Sequence, residues 1–249
     1  MPGGSSVLQR RKPHAPLVPT EERLRLCAGF VPENARLADI GTDHAYLPVW
    51  LCRSGKIQKA IAADIGEGPL QSARDTIARY QVAGQVETRL SDGLARFAAG
   101  EVDTIVIAGM GGELMARILG DCDWIQNPEI TLILQPMTAV RALRLFLWEQ
   151  GFSLEKEACC REGKHVYTVI KARYMGDQGP SDPQTACFVG AIAGETEAEH
   201  AFLQKEYDRA QKERTGALHR GDGETAARLE TAMQELEKRM SRWKEEPLV

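Results

Sequence analysis

The chain contains no apolar run long enough to cross a membrane. A spanning helix needs about 20 consecutive apolar residues, and no apolar stretch in these 249 residues approaches that length. The basic residues Arg10, Arg11 and Lys12 are not followed by an apolar segment, so we expect no secretory signal. These absences argue against a membrane-spanning or secreted protein.

The cysteines form no metal-binding pattern. They are scattered, without a C-x-x-C pair or a histidine cluster beside them: Cys27, Cys52, Cys122, Cys159, Cys160 and Cys187. A zinc site or a disulfide framework would need paired spacings. We therefore expect no metal site, and inert thiols in a reducing cytoplasm.

An excess of basic charge is also missing. The chain has 31 Lys and Arg against 35 Asp and Glu, a net charge of −4. Any nucleic-acid-binding surface must therefore be local. The 43% of hydrophobic residues is typical of a globular protein, and the length suggests one large domain or one domain with an appendage.

Short apolar segments alternate with helical patterns over most of the chain. Predicted strands cover residues 37–40, 59–65, 86–90, 104–108 and 130–134, followed by a hairpin of strands 152–160 and 166–172. Predicted helices cover residues 20–30, 44–54, 69–82 and 139–150, and a further helix ends at residue 119. This alternation predicts an α/β fold with a doubly wound, mostly parallel sheet and an antiparallel edge.

Both ends of the chain differ from this middle region. Residues 1–19 are rich in Gly, Pro and basic residues, and we expect a disordered leader. An α/β domain over residues 20–174 is followed by a helical domain over 175–249, which begins with a Gly-, Asp- and Pro-rich linker. The helical domain carries two heptad patterns separated by a turn at 219–223, which predict an antiparallel coiled-coil hairpin.

The apolar seams of this hairpin contain Leu203, Tyr207, Ala210 and Ala217 in the first helix and Leu229, Met233, Leu236, Met240 and Trp243 in the second, with Arg214 at one seam position. A heptad hairpin commonly serves dimerisation or packing. An arm of this length, about 33 Å at the rise of an α-helix, also suits a large substrate.

The glycine motif of dinucleotide-binding folds is absent after the first strand. That turn reads Gly41-Thr42-Asp43-His44-Ala45-Tyr46, with a single glycine where NAD-binding folds have G-x-G-x-x-G. The carboxylates of Asp39 and Asp43 would also repel a pyrophosphate. An ordinary strand–helix turn would give the same pattern; as a binding site, it favours a cationic or neutral cofactor with a ribose.

Acidic residues follow three consecutive predicted strands and match the polar groups of S-adenosylmethionine. Asp39 and Asp43 can face its positive charges, and Asp64 can accept hydrogen bonds from both ribose hydroxyls. Asp92 can accept from the adenine amino group, with Ile65 packed on the ring. Each acid alone could instead cap a helix. The predicted cofactor-binding residues are Asp39, Gly41, Thr42, Tyr46, Asp64, Ile65, Asp92, Gly93, Ala108, Gly109, Met110 and Gly111.

The turn after the fourth strand narrows the range of methylation reactions that the site could catalyse. It reads Ala108-Gly109-Met110-Gly111-Gly112, and its glycines leave room for a flipped base, although a tight strand–helix turn needs glycines too. No Pro-Cys follows strand four or five, which argues against methylation of cytosine C5. No Asn/Asp-Pro-Pro-aromatic clamp is present, which argues against methylation of an exocyclic amino group.

Three sequence strings resemble the bacterial tRNA (adenine-22-N1)-methyltransferase family, often called TrmK. They are Asp39-Ile40-Gly41-Thr42-Asp43-His44-Ala45-Tyr46-Leu47-Pro48, Ile107-Ala108-Gly109-Met110-Gly111-Gly112 and Leu132-Ile133-Leu134-Gln135-Pro136. The resemblance covers about residues 20–172, and the helical hairpin is similar in kind to the family's C-terminal coiled-coil domain. It implies a class I methyltransferase fold with a Rossmann-like sheet, S-adenosylmethionine as the methyl donor, and N1 of adenine 22 of tRNA as the acceptor.

We predict Asp43 as the main catalytic side chain, with His44 orienting its loop. Adenine N1 has its own in-plane lone pair, so the reaction needs alignment and relief of positive charge rather than a strong base. Asp39 is expected to be held by turn amides. Other possibilities are methylation of another RNA base, a small-molecule methyltransferase and a non-catalytic S-adenosylmethionine-binding module.

We expect tRNA as the partner and no association with a membrane. We expect the protein to be a monomer or a weak dimer. Cationic side chains that could contact phosphate are Arg10, Arg11, Lys12, Arg23, Arg25, Arg141 and Arg144. Cationic side chains of this kind usually lie on the solvent-exposed surface without a binding role, and acidic residues outnumber basic residues in the helical domain. The choice of tRNA therefore follows from the resemblance and not from charge.

Overall fold

The protein is described from a computed structural model that covers residues 21–176 and 179–243. The predicted leader, its three basic residues and Thr20 at the predicted helix start lie outside the described residues. None of the described helices is both long and apolar enough to span a membrane.

A seven-stranded sheet forms the centre of the molecule, in the order β3-β2-β1-β4-β5-β7-β6. Its strands are β1 (Arg36–Ile40), β2 (Lys59–Asp64), β3 (Val86–Leu90), β4 (Thr104–Gly111), β5 (Thr131–Thr138), β6 (Phe152–Glu162) and β7 (His165–Tyr174). β1 to β5 pair in parallel, whereas β7 pairs antiparallel with both β5 and β6. The predicted doubly wound sheet with an antiparallel edge is confirmed.

Helices cover both faces of the sheet. They are α1 (Glu22–Phe30), α2 (Tyr46–Arg53), α3 (Glu67–Tyr80), α4 (Gly112–Gly120) and α5 (Val140–Glu149). Side chains alternate along β4, so that Val106 packs with α1 to α3 on one face while Ile105 and Ile107 pack with α4 and α5 on the other. Because both faces are buried, β4 and β5 are apolar over residues 105–108 and 132–134.

Several element ends differ from the prediction. α2 begins at Tyr46 rather than at residue 44, because Ala45 adopts a left-handed conformation with φ +54°. α3 begins two residues earlier than predicted and ends at Tyr80, where Gln81 is left-handed. β4 and β5 extend beyond their predicted ends to Gly111 and Thr138, with irregular register after Ala108.

The C-terminal region is a helical hairpin, as predicted. It consists of α7 (Glu197–His219) and α8 (Gly223–Met240), and Asp222 caps α8 by accepting from the Thr225 N–H at 3.0 Å. Six predicted seam residues are buried, namely Leu203, Ala210, Ala217, Leu229, Met233 and Leu236. Arg214, at the polar seam position, forms an ion pair of 2.6 Å with Glu230.

The hairpin packs against the sheet domain through residues 183–192, which follow the predicted linker and for which the sequence predicted no element. A short helix, α6 (Pro183–Ala186), leads into Phe188 and Ile192, which join Leu145 and Trp148 of α5 in one apolar cluster. The residues between the predicted linker and the hairpin therefore contribute to the core between the sheet and the hairpin.

A buried ion pair lies in this core. Arg144 of α5 is fully buried and donates to Glu157 of β6 at 2.5 Å, and its guanidinium also reaches the Cys187 carbonyl at 2.6 Å. The prediction that Arg144 could contact phosphate is therefore wrong. Sequence reasoning took it for a surface cation because its partner lies 13 residues away on another element.

Candidate functional site

The turn after β1 brings the backbone close to the turn after β4. Gly41 has a φ of +76°, and a Cβ atom at this position would overlap the Met110 methyl group. The N–H groups of Gly41 and Thr42 both donate to the Ala63 carbonyl of β2, at 2.8 and 3.0 Å. A residue with a side chain would be strained at Gly41 and would displace Met110.

Asp39 is a buried carboxylate at the end of β1. It is 7% exposed and accepts a 2.5 Å hydrogen bond from the Thr42 hydroxyl, and it forms no ion pair with a described Lys or Arg. Burial, opposed by the Thr42 hydrogen bond and assisted by the nearby charge of Asp64, raises the pKa of Asp39 to about 6. The expectation that turn amides hold Asp39 is wrong, since those amides bind the Ala63 carbonyl.

The end of β2 presents an acceptor beside an exposed apolar side chain. One oxygen of Asp64 accepts from the Gly66 N–H at 2.8 Å, while Oδ2 accepts no hydrogen bond from the described residues. Ile65, the next residue, is 69% exposed. A polar acceptor next to an uncovered apolar surface suits a ribose followed by a base ring.

The end of β3 is built around a buried hydroxyl. Ser91 donates to the Gly93 carbonyl at 2.8 Å, and Gly93 has a φ of +52° and packs against Ile118 of α4. Asp92 is exposed and lines a separate hollow of about 280 Å³ together with Arg117. Asp92 and Gly93 therefore do not share the hollow that contains Asp39.

The glycine turn after β4 is held by a side chain of β5. Gly109 has a φ of +81°, and its N–H donates to Oε1 of Gln135 at 3.0 Å. Gln135 is fully buried. Gly112 lies so close to the Ala139 carbonyl that a Cβ would overlap it. Gly111 lies near the Thr138 hydroxyl, and these contacts fix the path of residues 108–112.

These turns surround a cavity of about 290 Å³ at the carboxyl edge of the sheet. Eight predicted site residues line it, namely Asp39, Gly41, Thr42, Asp43, His44, Tyr46, Ala108 and Gly109. Asp43 is exposed and lies 3.2 Å from Nε2 of His44, whose ring stacks on Tyr46 at 5.2 Å between centroids. The position of Asp43 on the cavity wall agrees with its predicted place, and its catalytic role stays a prediction.

The start of α1 supplies a wall that sequence reasoning did not assign to the site. Glu21, Arg23 and Leu24 line the same cavity. Arg23 forms ion pairs with Glu21 at 3.2 Å and with Glu162 of β6 at 3.5 Å. No local pattern could have placed it here, because the contact with Glu162 spans 139 residues.

Two more cations named from the sequence are paired with acids. Arg25 lies 2.6 Å from Glu22. Arg141 lies 2.7 Å from Glu213 and 3.3 Å from Glu206 of the hairpin. Their charges are therefore partly neutralised.

The cavity, together with the end of the neighbouring strand β2, has the polar groups that a cationic, ribose-containing ligand requires, although Asp64 and Ile65 do not line the cavity itself. The buried Asp39 carboxylate lacks a cationic partner among the described residues, and Asp64 keeps one free oxygen next to Ile65. Gly41 and Gly109 permit close approach of a ligand to the backbone. The arrangement suits binding of the ligand and alignment of the reacting groups. None of the described side chains that line the cavity is positioned to act as a nucleophile that forms a covalent intermediate.

Comparison with known proteins points in the same direction. Residues 20–170 match a sequence family described as "Methyltransferase domain". The chain is 35% identical to the tRNA (adenine(22)-N(1))-methyltransferase of Bacillus subtilis (strain 168), over 186 residues that cover 74% of this chain and 75% of that protein.

Two solved structures are similar over nearly their whole length. The B. subtilis M1A22 tRNA methyltransferase TrmK has a TM-score of 0.74 at 28% identity, covering 88% of this chain and 97% of that one. Streptococcus pneumoniae Sp1610, solved in complex with S-adenosyl-L-methionine, has a TM-score of 0.72 at 33% identity, covering 88% and 99%.

Proposed function

The chain belongs to the tRNA (adenine(22)-N(1))-methyltransferase family, and we propose that it methylates N1 of adenine 22 in tRNA with S-adenosyl-L-methionine as the donor. The observation that carries this proposal is the cavity at the carboxyl edge of the sheet. It is lined by an acid without a cationic partner among the described residues and by two positive-φ glycines. At the end of the neighbouring strand, one oxygen of Asp64 accepts no hydrogen bond from the described residues.

The residues present fit this cofactor. Asp39 would hold its ammonium group, Asp64 would accept from its ribose hydroxyls, and Ile65 would cover its base. When bound, S-adenosyl-L-methionine supplies the electrophilic methyl group. Asp92, which lines the separate hollow, and Gly93 next to it in the chain would hold the far edge of the adenine. The remaining contacts would come from Gly41, Thr42, Tyr46, Ala108, Gly109, Met110 and Gly111.

The chain's own contribution to the reaction is alignment and electrostatics. Adenine N1 attacks through its ring lone pair, so no proton has to leave before the bond forms. Asp43 would accept a hydrogen bond from the adenine amino group and offset the positive charge that grows on the ring. His44, 3.2 Å from Asp43 and stacked on Tyr46, would fix the orientation of that carboxylate.

Two of the other functions considered from the sequence, a small-molecule methyltransferase and a non-catalytic binding module, fit the structure less well. A small-molecule methyltransferase usually encloses its substrate, whereas Asp43 on this cavity wall is largely exposed. A non-catalytic binding module would not require a carboxylate at residue 43. Both alternatives predict that tRNA is not methylated.

The remaining assignments are extensions of this proposal. We propose a catalytic domain over residues 20–174 and a helical domain over 175–249, a monomer or weak dimer, and action on tRNA in the cytoplasm. The support for two domains is that the helical hairpin has an apolar cluster of its own, which joins the sheet domain through α5 and the strand pair β6–β7.

The function is tested by cofactor binding and methyl transfer together. S-adenosyl-L-methionine should raise the melting temperature and NAD should not. Labelled methyl groups should pass from the cofactor to unmodified tRNA. Stabilisation by NAD alone would overturn the cofactor assignment, and cofactor binding without labelling of tRNA would favour the non-catalytic module.

A further inference from the structure

We propose that Glu162, at the end of β6, is a positioning residue for the cofactor: it holds Arg23 on the cavity wall, where the guanidinium binds the carboxylate of S-adenosyl-L-methionine. This inference rests on the proposed function, because it takes S-adenosyl-L-methionine as the ligand. Asp39, Asp64 and Ile65 account for the ammonium group, the ribose and the base of the cofactor, and its carboxylate needs a partner of its own.

The amino acid end of the cofactor carries two opposite charges on one carbon atom. A site that holds this end needs an acid for the ammonium group and a cation for the carboxylate, close to each other. Asp39 is the buried acid of the cavity. Among the described residues that line the cavity, Arg23 is the only lysine or arginine. The cavity therefore contains one permanently charged cation that can take the carboxylate.

The guanidinium of Arg23 lies against the glycine turn after β4. Its Nη1 is 3.7 Å from the place that a Cβ atom would take on Gly109. The other two nitrogens face acids, since Nη2 lies 3.2 Å from Glu21 and Nε lies 3.5 Å from Glu162. Nη1 donates no hydrogen bond to any residue that the structure describes. It therefore keeps its N–H groups for a ligand beside the turn.

Glu162 fixes the backbone of Arg23 as well as its side chain. The Arg23 N–H, in the first turn of α1, donates to Oε1 of Glu162 at 2.8 Å. N–H groups in the first turn of a helix have no partner within the helix, and the side chain of Glu21 does not cap this one. One carboxylate of β6 thus holds both the start of α1 and the guanidinium that projects from it.

Holding Arg23 in place should raise the affinity for the cofactor without any contact between Glu162 and the cofactor. A long side chain loses rotamer freedom when it binds a ligand, and this loss weakens binding. The side chains of Arg23 and Glu162 are only 20% and 23% exposed, so their ion pair is partly shielded from water. Arg23 is therefore ordered before the ligand arrives.

A carboxylate fits this cavity better than a phosphate of the tRNA. The cavity has about 290 Å³, and Asp64 and Ile65 lie outside it, so the amino acid end is the part of the cofactor that it can accept. A phosphate would also pair with Arg23. It would then lie beside the carboxylates of Asp39 and Asp43, which repel it, without an ammonium group of its own to offset them.

The test compares two ligands that differ only in the carboxylate. Decarboxylated S-adenosylmethionine keeps the ammonium group, the sulfonium and the adenosine of the cofactor and lacks the carboxylate. The Kd of each ligand is measured by isothermal titration calorimetry for the wild type, Arg23→Ala and Glu162→Gln. The ratio of the two Kd values is obtained on one preparation of each variant, so a partial loss of folded protein does not change it.

Two control variants remove comparable ion pairs away from the cavity. Arg36→Ala removes an arginine that pairs with Asp103 at 3.2 Å, at the amino edge of the sheet. Glu155→Gln removes an acid of β6 that pairs with Arg173 at 2.8 Å. Both controls should show the ligand preference of the wild type.

We expect the wild type to bind S-adenosyl-L-methionine about 10- to 100-fold more tightly than the decarboxylated ligand, the range for a hydrogen bond between charged groups. Arg23→Ala should abolish this preference by weakening the binding of S-adenosyl-L-methionine alone, with the Kd of the decarboxylated ligand unchanged. An undiminished preference in Arg23→Ala would overturn the proposal.

Glu162→Gln separates positioning from a purely structural role. The glutamine oxygen can still accept the Arg23 N–H, so the start of α1 and the melting temperature should be kept, whereas the charge that holds the guanidinium is lost. The preference for S-adenosyl-L-methionine should fall between those of the wild type and Arg23→Ala. An unchanged or larger preference would show that Glu162 does not position Arg23.

The remaining outcomes distinguish this inference from the proposed function. If Arg23→Ala leaves both Kd values unchanged and lowers the slope of log K against log salt for tRNA by about 1, Arg23 binds a phosphate and the carboxylate assignment is wrong. If the wild type methylates tRNA while Arg23→Ala keeps its full ligand preference, only this inference fails. A wild type that binds neither ligand contradicts the proposed function and this inference with it.

Discussion

Gln135 of β5 holds the backbone of Gly109 at the end of β4: its Oε1 accepts the Gly109 N–H at 3.0 Å. The Gln135 side chain is fully buried, and its amide nitrogen donates to the Pro136 carbonyl at 3.2 Å. A left-handed glycine turn on the cavity wall is thus fixed by a side chain from the neighbouring strand.

Gln135→Ala should loosen this turn. It leaves the Gly109 N–H without its acceptor, so we expect a loss of about 1–3 kcal/mol in the free energy of unfolding and a fall in kcat larger than the change in cofactor Kd. Chemical denaturation and steady-state kinetics measure the two effects. Gln71→Ala, at an exposed glutamine of α3, serves as the control, and equal behaviour of the two variants would remove the role given to Gln135.

Asp43→Ala should lower kcat while leaving cofactor Kd within a few-fold. The expected fall is about 10²–10³, the range for loss of one preorganised polar group. Asp43→Asn keeps an acceptor and loses the charge, so an intermediate kcat would indicate that charge contributes beyond geometry. Near-normal turnover in both variants would move the catalytic role to the turn at residues 109–111. Asp75→Ala, at an exposed position of α3, is the matched control.

Asp64→Ala should weaken cofactor binding. The free Oδ2 is the proposed ribose acceptor, and hydrogen bonds to a charged group contribute about 1.5–3 kcal/mol, so Kd should rise about tenfold to 100-fold. Isothermal titration calorimetry measures it. Asp92→Ala, in the neighbouring hollow, should have the smaller effect, and an unchanged Kd for Asp64→Ala would make Asp64 only a turn residue.

Cofactor affinity should rise with pH through the titration of Asp39. In the free protein burial raises the pKa of Asp39 to about 6, so the carboxyl is largely protonated at pH 5. A bound cation stabilises the charged form, and binding therefore releases a proton. Affinity should increase from pH 5 to about pH 7 and then level off, and Asp39→Asn should remove this dependence. A flat profile in the wild type would exclude Asp39 as the ligand of the ammonium group.

The stability of the free protein should change with pH in the opposite direction. Because the folded-state pKa lies above the ordinary value of 3.8, the contribution of Asp39 is fully present below pH 3.8 and is lost as pH rises through about 6. The difference in the free energy of unfolding between wild type and Asp39→Asn, measured across this pH range, isolates this contribution. The other carboxylates titrate in both proteins at low pH, so their effect cancels in the difference.

The sheet and much of the site were predictable from sequence because their determinants are local. An apolar segment followed by Asp39 and Gly41 predicts a strand and a tight turn, and parallel strands bring their carboxyl ends to one edge. Asp64 follows the next strand by the same rule. The heptad seam of Leu229, Met233 and Leu236 predicted a buried helix face for the same reason.

What could not be predicted depends on residues distant in sequence. Arg144 reads as a surface cation until β6 brings Glu157 against it. Arg23 joins the cavity only because β6 supplies Glu162. Ala45, just before α2, adopts a left-handed conformation that alanine rarely prefers, and no local pattern predicts that α2 begins at Tyr46. Each of these positions is set by tertiary packing and not by the local sequence.

The most direct test of the account is to map the methylated position. Purified protein is incubated with S-adenosyl-L-methionine and an unmodified tRNA that carries adenine at position 22, and reverse transcription then locates the block that a methyl group on N1 causes. We expect a single new stop at adenine 22, and no methylation when that adenine is replaced by guanine. A stop at another adenine, or undiminished methylation of the guanine-22 tRNA, would contradict the account.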